Sequence, residues 1–401
     1  MAAYDITALG SKIEFDTTGA TSMCSAAFPT KPNWFVVSWR QGTAPTYVQI
    51  FSYNSGTGNL DAIGSPLNTG AAATTTQLGT CPTVIDESNV MVVYSGFGSD
   101  GYAQLVSVDG SGNCSLNGSA YEFDTSSGVS PTVSLWDSTH VIVAWTGFST
   151  RIKVQILSFN TGTGAISTVG TPLSTGYRNL SSIKKLDADY AIHIYVDSGD
   201  DAWLTVLYVN PSTYAVSTIG TPYKYLVPVG ANDTQRVDVE VIDTSGSPYV
   251  VAAFGGVEST GELQTVRTFN INTTTWAVTA FGSALSLTTD SATSLSRSNR
   301  NLSKVDDATL VTLYRNGSDY ATVSSISYDS GTGALAVIST VTLDNAAPNA
   351  TYRQLTTVYM GNGVIGNAWT GADEDGFMQA VGIEIPTAVF TPSPMPNFIA
   401  E

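Results

Sequence analysis

Seven times in this chain a short apolar run ends in an aromatic residue: Trp39, Tyr94, Trp145, Tyr195, Phe254, Tyr314 and Trp369, at intervals of 55, 51, 50, 59, 60 and 55 residues. Ten residues after the aromatic stands a glutamine in five cases, Gln49, Gln104, Gln155, Gln264 and Gln379, with Thr205 and Ser324 in the other two. A unit that recurs at such a period cannot bury its apolar face alone and must stack on its neighbours. The 401 residues therefore read as one closed array and not as two or three separate domains.

Each unit reads as four strands, a to d. Strand b is the apolar run itself, as in FVVSW at 35–39, VMVVY at 90–94 and VIVAW at 141–145, with the near-continuous β-branched character of a strand covered on both faces. Strand c carries the glutamine, and a tight turn to strand d follows, as in SYNSGTGNL, SFNTGTGAI and SYDSGTGAL. In these turns Asn54, Asp109, Asn160, Asn210, Asn270 and Asp329 are expected to accept backbone N–H groups two residues on. Strand d places an apolar residue four positions before a glycine: Leu60 and Gly64, Ile166 and Gly170, Val216 and Gly220.

The same spacing occurs at the N-terminus, in Ile6 and Gly10, and EFDTTG at 14–19 echoes EFDTSSG at 122–128, so the chain begins with a strand d. The seventh unit runs through Trp369 and Gln379 and meets Pro386 where its own strand d is due. The expected fold is all-β: a seven-bladed β-propeller of four-stranded antiparallel blades over residues 1–385, the N-terminal strand completing the last blade. Closure of the ring removes exposed strand edges. Residues 386–401 form a Pro-rich arm whose Phe390, Met395, Phe398 and Ile399 are expected to dock on other copies or other proteins.

The net charge of -17 argues against nucleic acid and against anionic membrane surfaces, and no apolar stretch is long enough for a transmembrane helix or a secretory signal. The two histidines, His140 and His193, are too few and too scattered for a Ser-His-Asp set, and no G-x-S-x-G or H-E-x-x-H motif occurs. Three cysteines lack metal-ligand spacing; Cys24 and Cys81 hold comparable positions in neighbouring repeats, where they could meet or remain free buried thiols.

Near the start of strand a, at the mouth of the central channel, the seven units carry Ser22, Gln77, Gly128, Arg178, Arg236, Arg297 and Arg353, with Arg300 close by. Five of the chain's nine arginines would then lie on one half of the rim and could hold a carboxylate, sulfate or phosphate bidentately. The alternative is pairing with nearby acids, as Arg236 with Asp233 and Arg297 with Asp290. The b-to-c loops on this face carry Asp100, Asp197, Asp200, Asp201, Asp319, Asp373, Glu374 and Asp375, which read as solvated hairpin tips. GADEDGF resembles a fragment of a calcium loop without the distal bidentate Glu, and no metal or cofactor is expected.

The S-x-[DN]-x-G-T-G turn resembles the Asp-box of sialidases and the turn of PQQ-dependent dehydrogenase blades, but no F/Y-R-I-P segment accompanies it. More broadly the chain is similar to the Gly/Thr/Ser-rich propellers of tailed-phage virions and of bacterial surface or lectin-like proteins. That resemblance implies a non-enzymatic structural and adhesion propeller of a virion tail or capsid surface, contacting a host surface. The alternatives are a soluble glycan-binding lectin, and a polysaccharide-active hydrolase using rim acids such as Asp373 or Asp375 with the arginines.

Overall fold

The computed structural model describes residues 4–17, 19–41, 45–72, 79–147, 151–177, 181–197, 201–226, 236–256, 264–287, 300–316, 320–344, 355–371 and 375–385. They form seven antiparallel sheets joined as four-stranded blades of a propeller, the outer strand of blade five being split into Val278–Ala280 and Leu285–Ser286. Blade one runs through strands Ala20–Ala27, Trp34–Gln41, Pro45–Tyr53 and Leu60–Ala72. Blade seven takes Leu355–Gly361, Val364–Thr370 and Gly376–Ile383 from the C-terminal end and Ile6–Asp16 from the N-terminal end, with Ile6 opposite Ile383 and Glu14 opposite Phe377. The expected closure by the N-terminal strand is thus the observed one.

The innermost strands, among them Ala20–Ala27, Thr80–Asp86, Val129–Asp137 and Leu355–Gly361, touch one another in order around the axis. Strand b of each blade is covered on both faces: in Asn89–Ser95 every residue after the first is buried. Ala26, Phe28, Val36 and Ile50 of blade one, for example, pack on Val84, Val90, Val92 and Val106 of blade two. The β-branched runs are therefore the cores between sheets, which explains why they do not alternate.

The turn between strands c and d forms as expected in most blades, with Gly56, Ser111, Gly162, Ser212 and Gly331 donating to Asn54, Asp109, Asn160, Asn210 and Asp329. Blade five departs from the expectation. There the turn is built by Asn272, which accepts from Thr274 at 2.9 Å and Thr275 at 2.8 Å, while Asn270 lies inside strand c. The sequence NTTTW matches NPSTY once it is shifted by two, and Trp276 at φ +58 then takes the left-handed place held by Tyr214 at φ +55 in blade four.

That shift reaches the opening repeat. Gln49 pairs across to Val37, Gln104 to Val92, Gln155 to Val143 and Gln379 to Asn367, whereas in blade five Ala253 faces Arg267. Gln264 and Phe254 are consequently out of register with their namesakes, and Arg267 stands where the glutamine does elsewhere.

Candidate functional site

The repeated glutamine holds an outward bulge of the strand beside it. Its amide nitrogen donates to the glycine carbonyl of strand d, Gln49 to Gly64 at 2.7 Å and Gln379 to Gly10 at 3.2 Å, and Arg267 makes the equivalent bond to Gly282 at 2.8 Å. Gly10, Gly64 and Gly220 have positive φ and, like Gly282, abut the c-to-d turn of the next blade; a Cβ on Gly220 (φ +71) would lie 2.0 Å from the Trp276 carbonyl oxygen.

The tryptophans that end strand b are equally structural. Trp39, Trp145 and Trp369 are buried, and their indole N–H groups donate to Asp16 at 2.5 Å, Asp124 at 2.8 Å and Asp344 at 3.1 Å, each on strand d of the preceding blade or just after it. The Lys153 ammonium sits 2.6 Å from Asp124. Burial works to raise the Asp124 carboxyl, but Lys153, Ser126 and Trp145 outweigh it and bring it down to about 2.

Of the rim arginines, Arg178, Arg297 and Arg353 lie outside the described residues, as do the arm residues Phe390, Met395, Phe398 and Ile399; Arg236 opens a strand a but its side chain is likewise outside them. Arg300 reaches into the channel. Its two terminal nitrogens donate to the carbonyls of Ser25 in blade one at 2.8 Å and Val133 in blade three at 3.0 Å. Asp238, wholly buried on the inner strand of blade five, accepts from Ser182 at 2.8 Å, Asn301 at 2.8 Å and Leu302 at 3.0 Å, and Lys184 pairs with Glu240 at 2.9 Å. Burial pushes the Asp238 carboxyl up to about 6, against the pull of Lys184. These bonds tie five inner strands together through side chains. Cys24 and Cys81 meet beside these inner strands, in an apolar cluster with Met91, Val93 and Val133, with their sulfurs 3.0 Å apart.

On the face of the b-to-c loops a second constellation repeats. Five-residue hairpins close with the same backbone bond in blades two, three, four, six and seven: Gly96 to Asp100, Gly147 to Arg151, Asp197 to Asp201, Asn316 to Tyr320 and Gly371 to Asp375. The hairpin therefore delivers Asp100, Asp201 and Asp375 to one equivalent place. Two residues on, strand c presents Tyr102, Trp203 and Phe377, all half-buried, and Tyr47 holds the same register in blade one. Strand d places a charged residue opposite each aromatic of the three hairpin blades: Glu122 to Tyr102, Lys224 to Trp203 and Glu14 to Phe377.

The three sites vary one theme. In blade two, lost hydration and then the adjoining Asp100 carboxyl raise Glu122, and Phe97 at the hairpin tip is 66% exposed beside them. In blade seven, lost hydration and then Asp375 raise Glu14, while the Lys12 ammonium lies 4.3 Å from the Phe377 ring centre. In blade four Lys224 replaces the glutamate, pairs with Asp201 at 2.5 Å and lies 5.8 Å over Trp203, whose N–H donates to Asp197 at 2.8 Å. Sequence reasoning located Asp100, Asp197, Asp201 and Asp375 but missed the aromatics and their strand d partners. Their signal was the position eight residues after the strand b aromatic. Asp200, Asp319, Asp373 and Glu374 lie outside the described residues.

No family model and no curated protein sequence matches the chain. Solved structures of similar fold do exist. The BP39L lectin from Burkholderia pseudomallei superposes with a TM-score of 0.60 at 10% identity, over 92% of this chain and 98% of that one. The SapL1 lectin in complex with alpha methyl fucoside gives 0.51 at 12% identity, over 80% and 96%. A "putative 6-phosphogluconolactonase" from Bacteroides uniformis gives 0.58 at 10% identity, over 80% and 85%. At these identities the likeness is one of fold, shared by lectins and enzyme-like propellers alike.

Proposed function

We propose that this chain is a non-enzymatic adhesion propeller that binds glycans at the rims of blades two, four and seven. The observation that carries this reading is the recurrence of a half-buried aromatic beside an Asp and a second charged residue at one register position. A pyranose offers an apolar C–H face and a fringe of hydroxyls, which such an aromatic and such acceptors match. The fold likeness to two lectins is consistent with it.

The proposed setting is a virion tail or capsid surface, a reading that rests on repeat style and low charge, with residues 386–401 as the attachment. Deleting residues 387–401 should then abolish assembly and leave the propeller folded. The test of the binding reading is a glycan array with the full chain, followed by titration of the best glycan against Tyr102→Ala, Trp203→Ala and Phe377→Ala. Each substitution should weaken binding about tenfold, the order expected for a lost aromatic contact. Absence of any bound glycan, or binding unchanged in all three variants, would refute it.

A further inference from the structure

The inner strands of blades one and two bring two thiols together that neither the repeat nor the rim sites explain. Cys24 lies on Ala20–Ala27 and Cys81 on Thr80–Asp86, both at most 1% exposed, with their sulfurs 3.0 Å apart. Arg300 anchors itself on the carbonyls of Ser25 and Val133, which puts a permanent positive charge beside the pair, and the backbone N–H of Val133 points at the Cys81 sulfur. We propose that Cys24 and Cys81 are a buried dithiol that a peroxide oxidises to a disulfide, stapling blade one to blade two.

The surroundings divide the roles of the two sulfurs. Burial opposes ionisation of both; at Cys81 the bond from Cys24, the Arg300 charge and the Val133 N–H override it and lower the thiol, while Cys24 is pushed up and keeps its proton. The Cys81 thiolate attacks one peroxide oxygen, the O–O bond breaks, and a sulfenic acid forms as hydroxide leaves. The Cys24 sulfur then attacks the sulfenic sulfur, the S–O bond breaks, and the Cys24 proton leaves with the departing oxygen as water. In sum two thiols and one peroxide give one disulfide and two waters. Cys114, half-buried at the start of strand d in blade two, has no sulfur neighbour among the described residues.

The staple would close a loop of 57 residues next to the junction with the N-terminal strand of blade seven. Two routes to it are tested together on the full chain: hydrogen peroxide added to the folded protein, and refolding from denaturant in a glutathione redox buffer. Either should lower the titratable thiols from the three of the sequence to one, yield a peptide joining Cys24 to Cys81, and raise the Tm by about 5 °C. Cys24→Ser should form no disulfide and let dimedone trap the sulfenic acid on Cys81. Three free thiols after both treatments, or a disulfide that includes Cys114, overturns the proposal.

Discussion

His193 sits mid-strand in blade four, wholly buried, with neither ring nitrogen hydrogen-bonded among the described residues. Val37, Val92 and Val143 occupy its register in blades one to three, which makes His193→Val the informative substitution. Burial depresses the imidazole from 6.5 to about 3. As pH falls, the unfolded chain therefore binds this proton first, and stability is lost from about pH 6.5 down toward pH 3. Integrating that linkage gives a loss of about 2 kcal/mol between pH 7 and pH 5. Asp238 has the opposite sign: its folded value near 6 exceeds the ordinary 3.8 of an aspartate, so its stabilising contribution is full below 3.8 and is lost as pH rises through 6. Asp238 returns about 1 kcal/mol over the same interval, so the parent protein alone shows only a shallow pH slope from the two groups.

The comparison of parent and variant cancels Asp238 and isolates His193. At pH 7 removing two unpaired buried nitrogens gains ~1–3 kcal/mol and the smaller valine forfeits ~1 kcal/mol of packing, so the variant should be as stable as the parent or slightly more so. At pH 5 its advantage should grow by about 2 kcal/mol. Urea unfolding of both proteins at the two pH values measures this difference directly. An advantage equal at pH 7 and pH 5 would show that His193 is not the neutral, unpaired core residue described above.

Gly220→Ala forces a Cβ to 2.0 Å from the Trp276 carbonyl oxygen at φ +71; it should cost at least ~3 kcal/mol in urea unfolding, and an effect below ~1 kcal/mol would refute the interlock between strand d and the next turn. Asp124→Ala removes the acceptor of the Trp145 indole and the partner of Lys153, for an expected loss of about 2–3 kcal/mol at neutral pH. Since the Asp124 carboxyl is depressed to about 2, that loss should be present above pH 3.8 and fade as pH falls toward 2; a loss that does not change with pH would mean the carboxylate charge contributes nothing.

The fold was legible because its determinants are local and repeated. Apolar runs ending in Trp39, Trp145 and Trp369, and an apolar residue four places before Gly10, Gly64 or Gly220, are written in consecutive residues. Blade five was misread in detail because counting from Phe254 assumes a hairpin of constant length, whereas register is set by pairing, and pairing aligns Arg267 with the glutamines. The rim sites were half legible: Asp100, Asp201 and Asp375 stood out as acids in loops. Tyr102, Trp203 and Phe377 looked like ordinary strand residues, and Glu122, Lys224 and Glu14 come from strands about 20 residues away or, for Glu14, from the opposite end of the chain. The role of Arg300 was invisible, because its partners Ser25 and Val133 are brought to it only by closure of the ring.

The central claim is that three equivalent rim positions receive a sugar. Crystals of the full chain soaked with the best glycan from the array test it most directly. The account expects a sugar ring stacked on Tyr102, Trp203 or Phe377 with its hydroxyls on Asp100 and Glu122, Asp201, or Asp375 and Glu14. A glycan bound away from all three aromatics would contradict it.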